Sequence, residues 1–296
     1  MARPGPTGPA TAQPTRRGGW QRLRRDWTFV GPAGLIVLLL AVAAIPGLFA
    51  GFFGHGDPRA CDLHSSQLGP RSGHPFGFDL QGCDVWANVV YGTQSSIAVG
   101  LLATAISGTI AVVLGTLAGF NGGWADWLIS RLTEVFLGFP FLLAAIVVLN
   151  SIGQRTVLTV AVVLGLFGWP TMARLVRASV RQVRSLDYVL AARTMGLGTW
   201  RIVTRYVLAN GLTPVLILAT ISIGTVIVAE SSLTYLGIGL APPAISWGLQ
   251  IADGSRYFQT APHMIVFPSL FLSLTVLSII MLGEALRAAF DPKRLQ

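Results

Sequence analysis

Residues 174–205 carry seven arginines (Arg174, Arg177, Arg181, Arg184, Arg193, Arg201 and Arg205) around the run Ala191-Ala192-Arg193-Thr194-Met195-Gly196. An arginine at mid-bilayer costs roughly 3 kcal/mol even on the lenient insertion scale, so seven would cost about 20 and forbid burial in lipid. Other chemistry-bearing groups are sparse. Lys293 is the only lysine, and Arg294 follows it with no Gly-x-x-x-x-Gly ahead, so no phosphate-binding P-loop is present. The histidines His55, His64, His74 and His263 lack His-Glu-x-x-His spacing, and there is no Gly-x-Ser-x-Gly. No metal set and no catalytic constellation are visible, which argues against an enzyme. Two acids in apolar surroundings, Glu230 and Glu134, and two cysteines, Cys61 and Cys83, complete the candidates.

The elements that hold these residues must be membrane helices. The 296 residues are 52% hydrophobic and 11% charged, with mean hydropathy +0.64, too apolar for a soluble surface. The net charge of +9 sits beside apolar spans rather than in a basic domain interleaved with aromatics, so it reads as topology and not as nucleic-acid binding. Residues 1–28, with Pro4, Pro6, Pro9 and Pro14, have little to bury and read as a disordered basic tail. Six apolar segments follow, at 29–50, 94–119, 129–150, 156–176, 211–236 and 263–286. Each is near the ~20 residues that cross a ~30 Å hydrocarbon layer. The chain thus divides into the tail, a first span with a loop to residue 93, a five-helix core over 94–286 with a polar loop at 177–210, and a terminal stretch 287–296.

Charge orients these spans. Six arginines lie in the tail, seven in the island, three basic residues after residue 286, and Arg131 near the 120–128 turn; the opposite side has only Arg59, Arg71, Arg155 and Arg256. The positive-inside rule places both termini and the island in the cytoplasm. Ala41-Val42-Ala43 behind Arg24-Arg25 is similar to a cleavable signal, but the apolar run continues to Phe53 and favours an uncleaved anchor. Cys61 and Cys83 then fall in the outer loop 54–93. A disulfide there would stabilise the loop by roughly 3 kcal/mol in the chain-entropy model; two free thiols are the alternative.

Within the island, Ser185 is placed to cap a helix beginning near Leu186, with Asp187 in its first turn. Gly196 is placed to end that helix in a left-handed conformation, and Thr199 to cap a second helix from Trp200. Such a knuckle would present Tyr188, Val189, Leu190, Met195, Leu197 and Trp200, more apolar surface than a free loop should show. It is expected to be a docking surface.

At these residues the chain resembles the permease subunits of bacterial ABC importers: Ala191-Ala192 followed by Gly196, before the penultimate span, is similar to their Glu-Ala-Ala loop. Leu190 stands where that family usually has Glu, and Tyr206-Val207-Leu208-Ala209 where His-x-Leu-Pro often follows. Further segments resemble the C-type subunit of the peptide/nickel class. They are His74-Pro75-Phe76-Gly77-Phe78-Asp79, Gly82-Cys83-Asp84-Val85 (Cys83 in place of Arg), Asn121-Gly122-Gly123-Trp124, Arg131-Leu132-Thr133-Glu134, Phe139-Pro140, Ala229 to Gly237, Ser246-Trp247-Gly248, Leu282 to Arg287 and Asp291-Pro292. Together they cover residues 73–294.

The resemblance implies an all-α, six-helix permease of the plasma membrane that pairs with a second, homologous permease. Two ATP-binding subunits, where ATP and Mg2+ would bind, are implied below, and a solute-binding protein delivering a peptide above. This chain would hold no cofactor. Tyr188, Leu190, Ala191, Ala192, Met195, Gly196 and Leu197 would then form the coupling contact with the ATPase.

Glu230 either lines the substrate path or is a structural acceptor bonded to serines and threonines of neighbouring helices. Glu134 with Arg131 reads as a local ion pair. Pro140, Pro170, Pro214 and Pro268 are expected to kink or start helices. Trp124, Trp127, Trp247 and Tyr257 read as interfacial anchors, and Pro242 to Pro262 as a segment dipping back against the bundle. The rival readings are a proton-coupled secondary transporter using Glu230 and Glu134, which should show internal repeats, and a membrane hydrolase.

Overall fold

The computed structural model describes residues 27–54 and 56–290. The Pro-rich stretch to residue 26 and the motif Asp291-Pro292 lie outside the described residues, and the tail expected over 1–28 overlaps a helix that already includes Trp27 and Thr28. The described residues form helices and turns, with two isolated β-bridges in the loop after the first span.

Helix α1 (Trp27–Ala44) is apolar throughout. The span expected at 29–50 breaks at Ile45, where Pro46 pushes its predecessor out of helical geometry and starts α2 (Pro46–Ala50). After the loop, Asp84 accepts the amide of Trp86 at 2.8 Å and starts α3 (Val85–Asn121). At 37 residues it is about 55 Å long, well beyond a hydrocarbon core. Its first turns, with Asn88 and Gln94 among valines, are too mixed to register as a span.

The segment expected as one span at 129–150 is instead two helices, α4 (Gly123–Gly138) and α5 (Phe141–Ile152), bent by 85°. The cause is local: Pro140 holds Phe139 in extended geometry (φ −92°, ψ 133°) and supplies no amide to continue the ladder. Thr156 caps α6 (Val157–Arg184), which outruns its expected end and carries Arg177, Arg181 and Arg184 on the same helix. Two short helices follow, α7 (Asp187–Thr194) and α8 (Thr199–Ile202), the latter continuing through a π-helical turn at Val203–Leu208. Then come α9 (Thr213–Tyr235), α10 (Trp247–Ser255) and α11 (His263–Phe290). Pro140 and Pro214 stand at helix starts, while Pro170 and Pro268 lie inside α6 and α11. Among the described residues, five helices are long and apolar enough to cross a membrane, and the bent α4–α5 pair makes a sixth if it counts as one span.

The centre of the bundle is the α3–α6 pair. Every fourth residue of α3 from Ala103 through Ser107, Ala111 and Gly115 to Gly119 is small and buried. A Cβ at Gly115 would lie 2.7 Å from the carbonyl oxygen of Ala173, and one at Gly119 2.8 Å from that of Arg177. Between helices in lipid, such close approach of backbones replaces the hydrophobic drive that water would supply. One core cluster joins α3, α5, α6 and α9; a second continues from α3 and α6 into α7 and α8 through Val180, Val183, Val189, Ala192 and Ile202. A third ties α1, α9, α10 and α11 to the first half of α3.

Candidate functional site

The knuckle is a helix, a glycine turn and a second helix, as its sequence suggests. The amide of Leu197 donates to Ala192 O (3.2 Å) and that of Gly196 to Arg193 O (2.9 Å), a Schellman closure that needs the left-handed φ of +77° at Gly196. The caps differ from expectation. Ser185 terminates α6 in helical geometry, its hydroxyl donating to Gln182 O (2.8 Å), and the extended N-cap position of α7 falls on Leu186 instead. Gly198 takes the cap expected of Thr199, which is already the first residue of α8.

Burial divides the knuckle into two faces. Val189 and Ala192 point into the core beneath, which removes Val189 from the docking surface and makes Ala192 a packing residue instead of a contact. Tyr188, Leu190, Ala191 and Gly196 are exposed, Leu197 is half-buried, and Met195 and Trp200 stand 70% and 79% exposed. Five large apolar side chains (Leu186, Tyr188, Leu190, Met195 and Trp200) thus lie uncovered on one projecting element.

The arginines mount this element. Arg177 grips Asp126 through Nε and through Nη2 (2.8 Å to Oδ2), and Arg181 reaches the same carboxylate. Arg184 donates to the carbonyls of Gly119 (3.0 Å) and Phe120 (2.7 Å), the open end of α3, and the Arg193 guanidinium lies 4.9 Å over the Phe120 ring. Four of the seven island arginines therefore lock α6 and α7 to the α3–α4 corner. Asp126 and Phe120 are bracing partners that the sequence reading missed; the available signal was Asp126 as the lone acid of the 120–128 turn.

At the far end of the bundle lies a polar node. Glu230 is fully buried on α9, where its Oε1 accepts Thr234 Oγ1 (2.8 Å) and its Oε2 accepts Ser231 Oγ (3.2 Å). Glu134 is elsewhere, exposed on α4 and paired with Arg131 at 2.6 Å. The segment after α9 folds back as expected, but Trp247 is fully buried, with its indole donating to Val89 O (3.0 Å), and is no interfacial anchor. Trp124 and Trp127 are exposed, and Tyr257 is half-buried.

Cys61 and Cys83 are joined as a disulfide, with Cα atoms 4.1 Å apart. Beside them a cavity of about 470 Å³ opens between the loop and residues 242–257. In its wall, burial pushes the Asp79 carboxyl above its ordinary value, against the amides of Cys83 and Gln81 that donate to it at 2.8 Å.

This bundle is the fold of a membrane permease. The methionine ABC transporter MetNI, in an inward-facing conformation, matches it with TM-score 0.54 at 20% identity, over 69% of this chain and 97% of that one. Residues 111–296 match the family described as binding-protein-dependent transport system inner membrane component. Among relatives, the glutathione transport system permease protein GsiD of Pectobacterium atrosepticum is 35% identical over 274 residues, 93% of this chain and 90% of that protein. The dipeptide transport system permease protein DppC of Bacillus subtilis is 36% identical over 276 residues, 93% of this chain and 84% of that protein.

The chain belongs to the binding-protein-dependent inner membrane component family. It is a multi-pass inner-membrane permease subunit of an ABC importer, and so works with ATP-binding and substrate-binding partners. The resemblance carried by the motifs of residues 73–294 is borne out.

Proposed function

We propose that this permease forms one half of a peptide translocation pathway, the other half being a second, homologous permease. The α7 knuckle is its coupling contact with an ATP-binding subunit. The observation that carries this reading is the uncovered apolar face of Tyr188, Leu190, Met195 and Trp200 on an element braced from behind by arginines. An apolar knuckle without a partner would be a liability in solution, and a braced one transmits a push as a rigid lever. In this reading both termini and the knuckle are cytoplasmic, and the disulfide loop and α10 face outward, where a solute-binding protein delivers cargo. Relatives named for glutathione and dipeptides support a small peptide as that cargo.

Closure of the ATP-binding subunits would displace the knuckle, and α6 and α9, attached to its two ends, would switch between inward and outward access. The knuckle must contact the ATPase differently in the two states, because equal affinity for both would shift nothing. Leu190→Asp, made in the reconstituted complex, is expected to lower peptide-stimulated ATP turnover by about tenfold or more, the loss typical of a buried apolar anchor. Undiminished stimulation in that variant would sink the coupling assignment.

A further inference from the structure

The Glu230 node lies fully buried in the last two turns of α9, toward the end remote from the knuckle, and the lever mechanism makes no use of it. Two hydroxyls donate to the carboxylate, and two more, fully buried on neighbouring elements, stand close to it. Thr234 and Ser231 are on α9, Ser96 is on α3, and Ser246 is the N-cap of α10. The same hydroxyls carry the backbone of the returning segment. Thr234 Oγ1 accepts the Leu240 amide (3.0 Å), Ser96 Oγ accepts the Trp247 amide (3.3 Å), and Ser246 Oγ accepts the Leu249 amide (3.3 Å).

Each hydroxyl has one hydrogen to donate and lone pairs to accept with. Glu230 takes the hydrogens of Thr234 and Ser231, which leaves the Thr234 lone pairs for the Leu240 amide. Glu230 thereby fixes the direction of the hydroxyl that holds the start of the returning segment. Apolar packing adds to it. Trp247 is fully buried with its indole on Val89 O, the Gln250 side-chain amide donates to Asn88 O (2.8 Å), and a Cβ on Gly248 would lie 2.9 Å from Ser231 Cα.

We propose that Glu230 is a positioning residue, the clasp that fixes residues 238–255 to α3 and α9 so that this segment moves with them as one outer gate leaf. The proposal rests on the importer reading above and adds to it a named outer element and the group that holds it. Its role is mechanical: Glu230 touches no cargo, and the state of the gate is passed to it through α9, whose other end adjoins the knuckle.

The test uses the full transporter in lipid nanodiscs, with Glu230→Ala and Glu230→Gln in this chain. Hydrogen–deuterium exchange reads the clasp directly, because the amides of Leu240, Trp247 and Leu249 are bonded to its hydroxyls. The alanine variant is expected to exchange about tenfold faster over 238–250, with α6 and the outer turns of α11 unchanged. ATP turnover without solute should rise severalfold while solute transported per ATP falls, and glutamine, which keeps one acceptor oxygen, should restore part of both. Unchanged exchange over 238–250, or exchange raised equally throughout the bundle, would overturn the proposal. So would normal coupling of transport to ATP in the alanine variant. If wild-type complex shows no solute-stimulated ATP turnover at all, it is the importer reading that fails; the exchange measurement still decides the clasp.

Discussion

The two ends of this permease solve opposite problems with opposite materials. At the knuckle, charged side chains lie behind and apolar ones in front: Arg177, Arg181 and Arg184 are spent on Asp126 and on the end of α3, while Tyr188, Leu190 and Met195 remain uncovered. At the outer end, polar groups are at the centre and are satisfied among themselves, with Glu230, Ser96, Thr234 and Ser246 buried under Trp247. A surface that must meet a separate protein keeps its apolar atoms outside, and one that must close on its own chain pairs most of its hydrogen-bonding groups, with Gln250 Oε1 a buried exception. Under the proposed function the two ends would have different duties, contact with a motor and closure of the path.

The largest expected effect strikes the outer end alone. The Cys61–Cys83 bridge closes a loop with sequence separation 22, and its loss should destabilise that loop by about 3 kcal/mol in the chain-entropy model. Cys61→Ser with Cys83→Ser should therefore speed proteolysis between residues 56 and 84 strongly while leaving co-purification with the ATP-binding subunit intact. Two free thiols found by non-reducing mass spectrometry of freshly purified wild-type protein would remove the bridge from the account. Loss of the ATP-binding subunit in the double variant would blur the division between the two ends.

At the inner end, Asp126→Ala strips the anchor from two arginines that are only partly solvated. Breaking a fully buried pair costs 3–5 kcal/mol, and the partial exposure of Arg177 and Arg181 brings this to about 2. The expected result is a knuckle that still folds but transmits poorly, so that peptide-stimulated ATP turnover falls while exchange over 238–250 keeps its wild-type rate. A double-mutant cycle with Arg177→Gln should show a coupling energy of about 1–2 kcal/mol. Additive effects in that cycle would mean the pair does not mount the lever.

How much of this arrangement was legible beforehand follows from what sets each feature. Lipid imposes length and apolarity on every crossing helix, so most spans stood out from composition, and Gly196 announced its turn because few other residues accept a φ of +77°. Pro140 was expected to kink or start a helix and does start α5, but the apolar run continues past it, so the size of the break, 85°, and the division into two helices were not legible. Ser185 and Thr199 had the right chemistry for caps, but α6 ran on through Arg184 and consumed the turn that Ser185 would have needed. Asp126 lies 51 residues before Arg177, and nothing local joins them. The hydroxyls near Glu230 come from α3 and α10 as well as its own helix, so serine and threonine partners could be expected while the particular residues could not be named.

The smallest effect tests whether the outer end is as internally satisfied near the aqueous face as it is around Glu230. Asp79 is held by two amides yet its carboxyl lies above the ordinary 3.8, because burial, helped by the nearby Asp253, outweighs those bonds. A carboxyl whose folded value is raised binds its proton more tightly folded than unfolded. The loop should therefore gain stability as pH falls from neutral through the raised value, and gain no more below 3.8. Exchange protection of residues 77–83 should rise by a factor of a few on acidification, and Asp79→Asn should show the protected behaviour at every pH while keeping an oxygen for the Gln81 and Cys83 amides. A loop whose protection falls on mild acidification would mean that Asp79 is stabilised as a carboxylate, and that the charge balance around the 470 Å³ cavity is set by Arg59 and Arg256 in its wall.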